Sequence, residues 1–209
     1  MTVRTDAIAS VILAAGASTR MGRPKMLLPV AGSTLLASAV TPHLAAGIGR
    51  VVVVLGPEAE AVRQGVGLPD DPRLRVVVNG DWREGMASSL KRGLRECGPA
   101  QAVLVALGDQ PGVTAERVGR IVDAWRPGVP LVVPVHDGRA GHPVLFARSL
   151  WSELEALSGD VGARDVVRRH AAEAVRVEWE PLADLDTPAD YDDHVRGKAP
   201  RGPRGMKLR

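Results

Sequence analysis

A succession of short, almost unbroken apolar runs limits what this chain can fold into. Residues 8–13, 51–56, 102–107 and 131–135 are dominated by Val, Ile, Leu and Ala, and 74–78 is a fifth run broken by one arginine. Alternating apolar and polar residues mark a strand with one wet face, whereas runs that are apolar throughout mark strands buried on both faces. Between them lie segments of helical length: 35–46 behind Ser33 or Thr34, 58–64 behind Pro57, 86–97, and a segment from Thr114 to about 125. The hydroxyl residues are the expected N-caps. Strand and helix alternating in this way predict a mostly parallel sheet covered by helices on both faces. After 135 the rhythm changes. A short strand at 143–147, helices near 149–157 and 163–171, a strand at 175–179 and a last helix from Thr187-Pro188 to about 195 read as an appendage to the sheet, not a separate domain.

The chain has 209 residues, enough for one large domain with a substantial core. It has one Phe and one Tyr, so that core must be aliphatic. The formal net charge of +3 is local: of 27 Lys and Arg, five lie in 198–209, which holds no acid, and the other 22 face 24 acidic residues. The tail has the Gly, Pro and Lys/Arg content of a disordered segment. The body, with few aromatics for stacking, is not expected to bind nucleic acid specifically. A single cysteine, Cys97, excludes a disulfide framework and a cysteine zinc site. No signal peptide and no run of ~18 apolar residues are found, so a cytoplasmic, membrane-free protein is expected.

The first apolar run leads into Leu13-Ala-Ala-Gly-Ala-Ser-Thr-Arg-Met-Gly-Arg-Pro-Lys25. Small side chains after a buried strand let the backbone approach a ligand closely and leave its amides free to hold an anion. Arg20 and Lys25 add charge where a phosphate would lie. The stretch is neither G-x-G-x-x-G nor a Walker loop, since Gly16 and Gly22 are its only glycines and Lys25 stands between Pro24 and Met26. The bland alternative is a tight strand-to-helix turn with incidental basic residues. At the end of the fourth run comes Leu107-Gly-Asp-Gln-Pro111. An Asp there sits at the carboxyl end of a parallel strand, where open α/β sheets bind ligands, and suits Mg²⁺; Gly-Asp-x-Pro is also ordinary turn chemistry.

The loop closely resembles the L-A-A/G-G-x-S-x-R-M-G-x-x-K signature of nucleotidyltransferases of the molybdenum-cofactor type, the MobA-like group. Asn79-Gly-Asp-Trp-Arg-Glu-Gly-Met-Ala-Ser-Ser-Leu90, Gly141-His-Pro-Val-Leu-Phe146, Gly159-Asp-Val-Gly-Ala-Arg164 and Asp184-Leu-Asp-Thr-Pro-Ala-Asp-Tyr191 resemble further family segments, in the family's order. The resemblance implies a three-layer, Rossmann-like α/β/α sandwich of the nucleotide-diphospho-sugar transferase type. It implies a single domain over 1–197, with a nucleotide half (about 8–135), an acceptor half (about 136–197) and the basic tail 198–209. The implied reaction joins an NTP to the phosphate of molybdopterin with release of pyrophosphate. Lys25, Arg20 and Asp109 are then the catalytic residues, and Asp109 and Asp186 the Mg²⁺ ligands. Leu13, Ala14, Ala15, Gly16, Ser18, Arg20, Lys25, Asn79, Gly85, Ser88 and Asp109 hold the nucleotide, and His142 and Arg164 the acceptor.

Leu-Ala-Ala-Gly in the loop resembles the cytidylyl branch more than the guanylyl one, which favours CTP over GTP; a methyl at Ala15 is expected to narrow the space for a purine. A molybdoenzyme or its maturation factor is an expected partner. Each assignment has a plainer counterpart. Asp186 and Asp190 stand where acids stabilise a helix start, Asp184 is a weaker metal candidate, Gly85 and Ser88 can belong to an ordinary helix start, and His142 and Arg164 can be structural. His43, His136, His170 and His194 lack metal-ligand spacing and read as structural or solvated. Transfer to a sugar or polyol phosphate, GTP as donor, and a non-catalytic carrier of cofactor or nucleotide remain open readings.

Overall fold

The computed structural model describes residues 5–198 and 207, so the tail 198–209, expected to be disordered, lies outside the described residues apart from Lys198 and Lys207. In chain order the strands are β1 (Ile8–Ala14), β2 (Pro29–Val30), β3 (Ser33–Thr34), β4 (Arg50–Leu55), β5 (Leu74–Val78), β6 (Ala102–Leu107), β7 (Leu131–His136), β8 (Arg139–Ala140), β9 (Val144–Ala147) and β10 (Val175–Glu178). The helices are α1 (Leu35–Ala45), α2 (Ala59–Gly65), α3 (Met86–Leu94), α4 (Ala115–Ala124), α5 (Trp151–Glu155), α6 (Arg164–Arg169) and α7 (Pro188–Val195). The main sheet runs β10-β7-β9-β6-β1-β4-β5, with β8 paired to β7, and β2-β3 forms a separate small hairpin.

β1 pairs in parallel with β4 on one side and β6 on the other, and β5 extends β4 in parallel. Successive strand residues point to opposite faces, and each face has its own core. Ile8, Ile12 and Ala14 join α1, α2 and α4 in one cluster, while Ala9, Val11 and Ala15 join α3, α5 and α6 in the other. This is the three-layer sandwich expected from runs that are apolar on both faces. Thr34, Thr114 and Thr187 cap α1, α4 and α7 with their hydroxyls, and Thr187 and Asp190 form a capping box.

Two expectations need correction. Residues 136–197 are not an appendage: β9 enters the interior of the sheet, antiparallel to both β6 and β7. Val144, Leu145 and Phe146 are buried there, which explains a short apolar run in a half otherwise poor in them. The helix expected over 86–97 ends at Leu94, where the chain turns towards Gly98 at a positive φ of 61°. No helix among the described residues is long and apolar enough to cross a membrane.

Candidate active site

The strand order reverses its direction of growth between β1 and β6, since β1 leads outward to β4 and β5 while β6 begins the opposite half. At such a switch point the loops leaving two adjacent parallel strands diverge and open a crevice. The signature loop leaves β1 and the Gly108-Asp109 turn leaves β6, so both candidate motifs meet at that crevice.

Close packing sets the loop's course. A Cβ on Gly56, just beyond β4, would overlap the carbonyl oxygen of Ala15, and one on Gly108 would lie 3.0 Å from the Ala14 methyl. Ser18 holds the turn at a positive φ of 51°. Its hydroxyl accepts from the Lys25 amide at 3.1 Å and donates to Glu58 at 2.9 Å. Met21 is buried in a small cluster with Leu28, Val30, Leu35 and Leu185. That cluster docks the segment 184–186 on the signature loop, helped by the Leu185 amide, which donates to the Asp109 carbonyl at 3.2 Å.

Four charged side chains converge in consequence. The Lys25 ammonium donates to Asp109 Oδ2 at 2.6 Å and to Asp186 Oδ1 at 3.2 Å, and Arg20 lies 3.4 Å from Asp186 Oδ2. Burial drives the pKa of Lys25 down, but the charge and hydrogen bonds of Asp109, then of Asp186, outweigh it, and the net direction is up. Lys25 therefore stays cationic. Two carboxylates aimed at one cationic point, beside a loop of small residues, form a donor set that fits a divalent ion whose remaining ligands are phosphate oxygens and water. Among the described residues no cluster of three or more His, Cys, Asp and Glu side chains could hold a metal by itself.

The other candidate residues fall into two places. Leu13 and Ala14 lie in β1, and Gly16 is exposed with open space where a Cβ would be. Ala15 is buried in the core cluster on the α3 side, so its methyl does not project into open space and does not narrow the site against a purine. Asn79 is buried; its amide donates to Ser88 and Ser89 at 2.8 and 3.0 Å and its oxygen accepts from the Asp81 amide, so it ties β5 to α3. Gly85, at a φ of +96°, touches the backbone of Gly159 so closely that a Cβ would overlap it, and Asp160 accepts from the Met86 amide at 3.2 Å. Gly159-Asp160 thus docks on the start of α3.

His142 and Arg164 line a cavity of about 160 Å³ at the carboxyl ends of β6 and β7, with Gln110, Arg139, Trp179 and Asp184. Burial holds His142 at about 4, with Asp109 pulling its pKa up and Arg164 pushing it down, so its imidazole is neutral. The sequence pointed to Lys25, Arg20, Asp109 and Asp186 but not to the role of Gln110. Gln110 donates to Asp184 Oδ1 at 2.5 Å, a pairing across more than seventy residues that no local signal carries.

Residues 10–175 match a family model described as the MobA-like NTP transferase domain. Nicotine blue oxidoreductase of Paenarthrobacter nicotinovorans is 39% identical over 175 residues, 78% of this chain and 82% of that protein. Molybdenum cofactor cytidylyltransferase of Escherichia coli K12 is 26% identical over 89% of this chain and 94% of its own length. Among solved structures, Rv0371c of Mycobacterium tuberculosis H37Rv in complex with manganese superposes with a TM-score of 0.75 at 32% identity, covering 90% of this chain and 98% of that one.

Proposed function

Because this chain belongs to the MobA-like NTP transferase family, we propose that it is a nucleotidyltransferase that joins CTP to the terminal phosphate of a molybdopterin-type acceptor in the cytoplasm and releases pyrophosphate. The observation that carries the reading is the meeting of Lys25, Asp109 and Asp186 beside the signature loop at the switch point of the sheet. An oxygen of the acceptor phosphate forms a bond to the α-phosphorus of the nucleotide as the α–β bridging bond breaks. The bond's electron pair leaves with pyrophosphate. No covalent intermediate on the protein is required. Lys25 leaves its carboxylate partners to hold triphosphate oxygens, Arg20 meets the charge growing on the leaving pyrophosphate, and the loop amides fix the chain of phosphates. Asp109 and Asp186 would hold Mg²⁺, which supplies charge neutralisation when bound. His142, neutral, and Arg164 border the cavity that takes the acceptor. The preference for CTP rests on the likeness of the Leu-Ala-Ala-Gly loop to the cytidylyl branch and on the 26% identical cytidylyltransferase.

Pyrophosphate release with molybdopterin as acceptor, and CTP, GTP, ATP and UTP offered separately with Mg²⁺, tests this. Turnover with CTP alone is expected. Turnover with GTP would keep the reaction and change the base, and turnover only with a sugar or polyol phosphate would replace the acceptor. Nucleotide binding without any turnover would make the protein a carrier. A second reading follows from the 39% identical nicotine blue oxidoreductase. Redox turnover of nicotine blue, with silence in the pyrophosphate assay, would establish that one instead.

A further inference from the structure

Ser18, within the signature loop, is a non-glycine residue held in the left-handed region at a φ of 51°. Such a conformation persists only where its surroundings over-determine it, and strain of this kind gathers at ligand sites. Three hydrogen bonds hold Ser18. Its carbonyl accepts from the Met21 amide at 2.9 Å, while its hydroxyl accepts from the Lys25 amide and donates to Glu58. A serine hydroxyl has one proton, so the proton given to Glu58 is not available to a phosphate. Glu58 reaches the loop because β4 runs beside β1 and because Gly56 has no Cβ to meet the Ala15 carbonyl, which lets the chain leaving β4 close on the chain leaving β1. It stands at the N-cap of α2, where an acid has a plain role beside the helix dipole. Yet its side chain makes no capping bond to its own helix and is directed at Ser18, 40 residues away. At the other end of α2, a Cβ on Gly65 would lie 3.3 Å from Leu27, two residues after Lys25. One short helix thus touches the signature segment on both sides of its lysine.

We propose that Glu58 is a positioning residue for nucleotide transfer: through the Ser18 hydroxyl it fixes the turn that sets the Lys25 main chain, and with it the ammonium, against the triphosphate. That the ammonium meets a triphosphate rests on the transferase reading; the brace itself does not. What the loop needs from Glu58 is an acceptor at that point, not a charge. Without it the Ser18 proton is free to turn towards another oxygen, and the left-handed turn loses one of its three restraints. A brace differs in two ways from an acid that merely suits a helix start. It works only while residue 18 carries a hydroxyl, and Gln can replace Glu, because its amide oxygen also accepts.

The chain has four lysines, Lys25, Lys91, Lys198 and Lys207, so isotopically labelled lysine isolates the Lys25 amide in an NMR spectrum. Hydrogen exchange at that amide, on the full chain without ligand, reads the brace, and titration with CTP and Mg²⁺ reads its use. In Glu58→Ala, exchange at Lys25 and the apparent Kd for CTP are each expected to rise by about ten-fold, the effect of losing one hydrogen bond to a charged group. The Lys91 amide, within α3, is the control for general loosening and should not change. Glu58→Gln is expected to stay within about two-fold of wild type in both readings. In a Ser18→Ala background, Glu58→Ala should add less than about two-fold, because the group it acts through is already gone. Unchanged exchange or unchanged Kd in Glu58→Ala, an equal rise at Lys91, a loss as large in Glu58→Gln, or a full second loss in the Ser18→Ala background would overturn the proposal. Pyrophosphate release with molybdopterin alongside any of these leaves the transferase reading standing. The expected exchange pattern in a protein that binds no nucleotide sustains the brace and removes the transferase reading instead.

Discussion

Lys25 is held by two carboxylates from distant segments, and its amide by a Ser18 contact within its own loop. Replacing it with Ala removes the cation that meets the triphosphate and leaves Asp109 and Asp186 facing each other. One preorganised charge contact at such a site contributes about 3 kcal/mol to transition-state stabilisation, so kcat/KM for the nucleotide should fall by about 10²-fold or more; steady-state pyrophosphate release at wild-type efficiency would remove Lys25 from the mechanism. His43 presents the opposite case. It is fully buried and away from the site, paired with Ser10 through a 2.7 Å contact at Nδ1, while its Nε2 has no partner. Burial lowers its pKa from 6.5 to about 4. Above pH 6.5 the ring is neutral whether the chain is folded or not, and its contribution is complete. Between pH 6.5 and about 4 only the unfolded chain takes up the proton, so stability falls by about 3 kcal/mol as the pH drops through that window. Denaturant titrations at pH 7 and pH 4.5 should show a steeper acid loss for wild type than for His43→Gln, and parallel losses would refute this source.

At the level of elements, the two halves of the chain are fastened where α3 begins. Gly85 stands at a φ of +96° directly against Gly159, and Asp160 caps the Met86 amide. Gly85→Ala both strains the backbone and drives a methyl into the opposite main chain. A cost of about 2 kcal/mol or more is expected, read as a lower urea midpoint. An unchanged midpoint would mean that the 159–162 loop yields freely and fastens nothing. Such a contact has no precursor in local sequence. Asn79-Gly-Asp-Trp and Gly-Asp-Val-Gly are turn-rich in isolation, and only the packing of α3 on both loops makes one a socket for the other.

For the whole molecule, ligand and fold are linked by mass action. A nucleotide and divalent ion that bind only the folded chain, at one hundred times their Kd, add about 2.7 kcal/mol, which for a chain of this size is about 5–10 °C in Tm. Thermal melts with CTP should show that shift and require Mg²⁺ or Mn²⁺ for its full extent. In Asp109→Asn the metal-dependent part should vanish, while the melt without ligand stays close to wild type. A metal effect as large in the variant would count against Asp109 as a ligand. The linkage exists because the site spans β1 and β6, neighbours in the sheet, and the segment before α7, which the Met21 cluster docks beside them.

The sequence by itself determined the layered architecture. Val, Ile and Leu runs apolar on both faces leave a chain no option but a covered sheet, and the threonine caps mark where α1, α4 and α7 begin. It also marked the signature loop and Asp109, which stand at strand ends that local pattern identifies, and, through the resemblance of the 184–191 segment to the family, Asp186. Only the tertiary structure decided that β9 lies inside the sheet, that the Ala15 methyl is packed in the core, that Ser18 braces the loop, and that Gln110 and Asp184 pair with one buried oxygen left over. Each of those depends on which distant segment arrives beside a residue, and that is set by how whole elements pack, not by the residue's own neighbours in the chain.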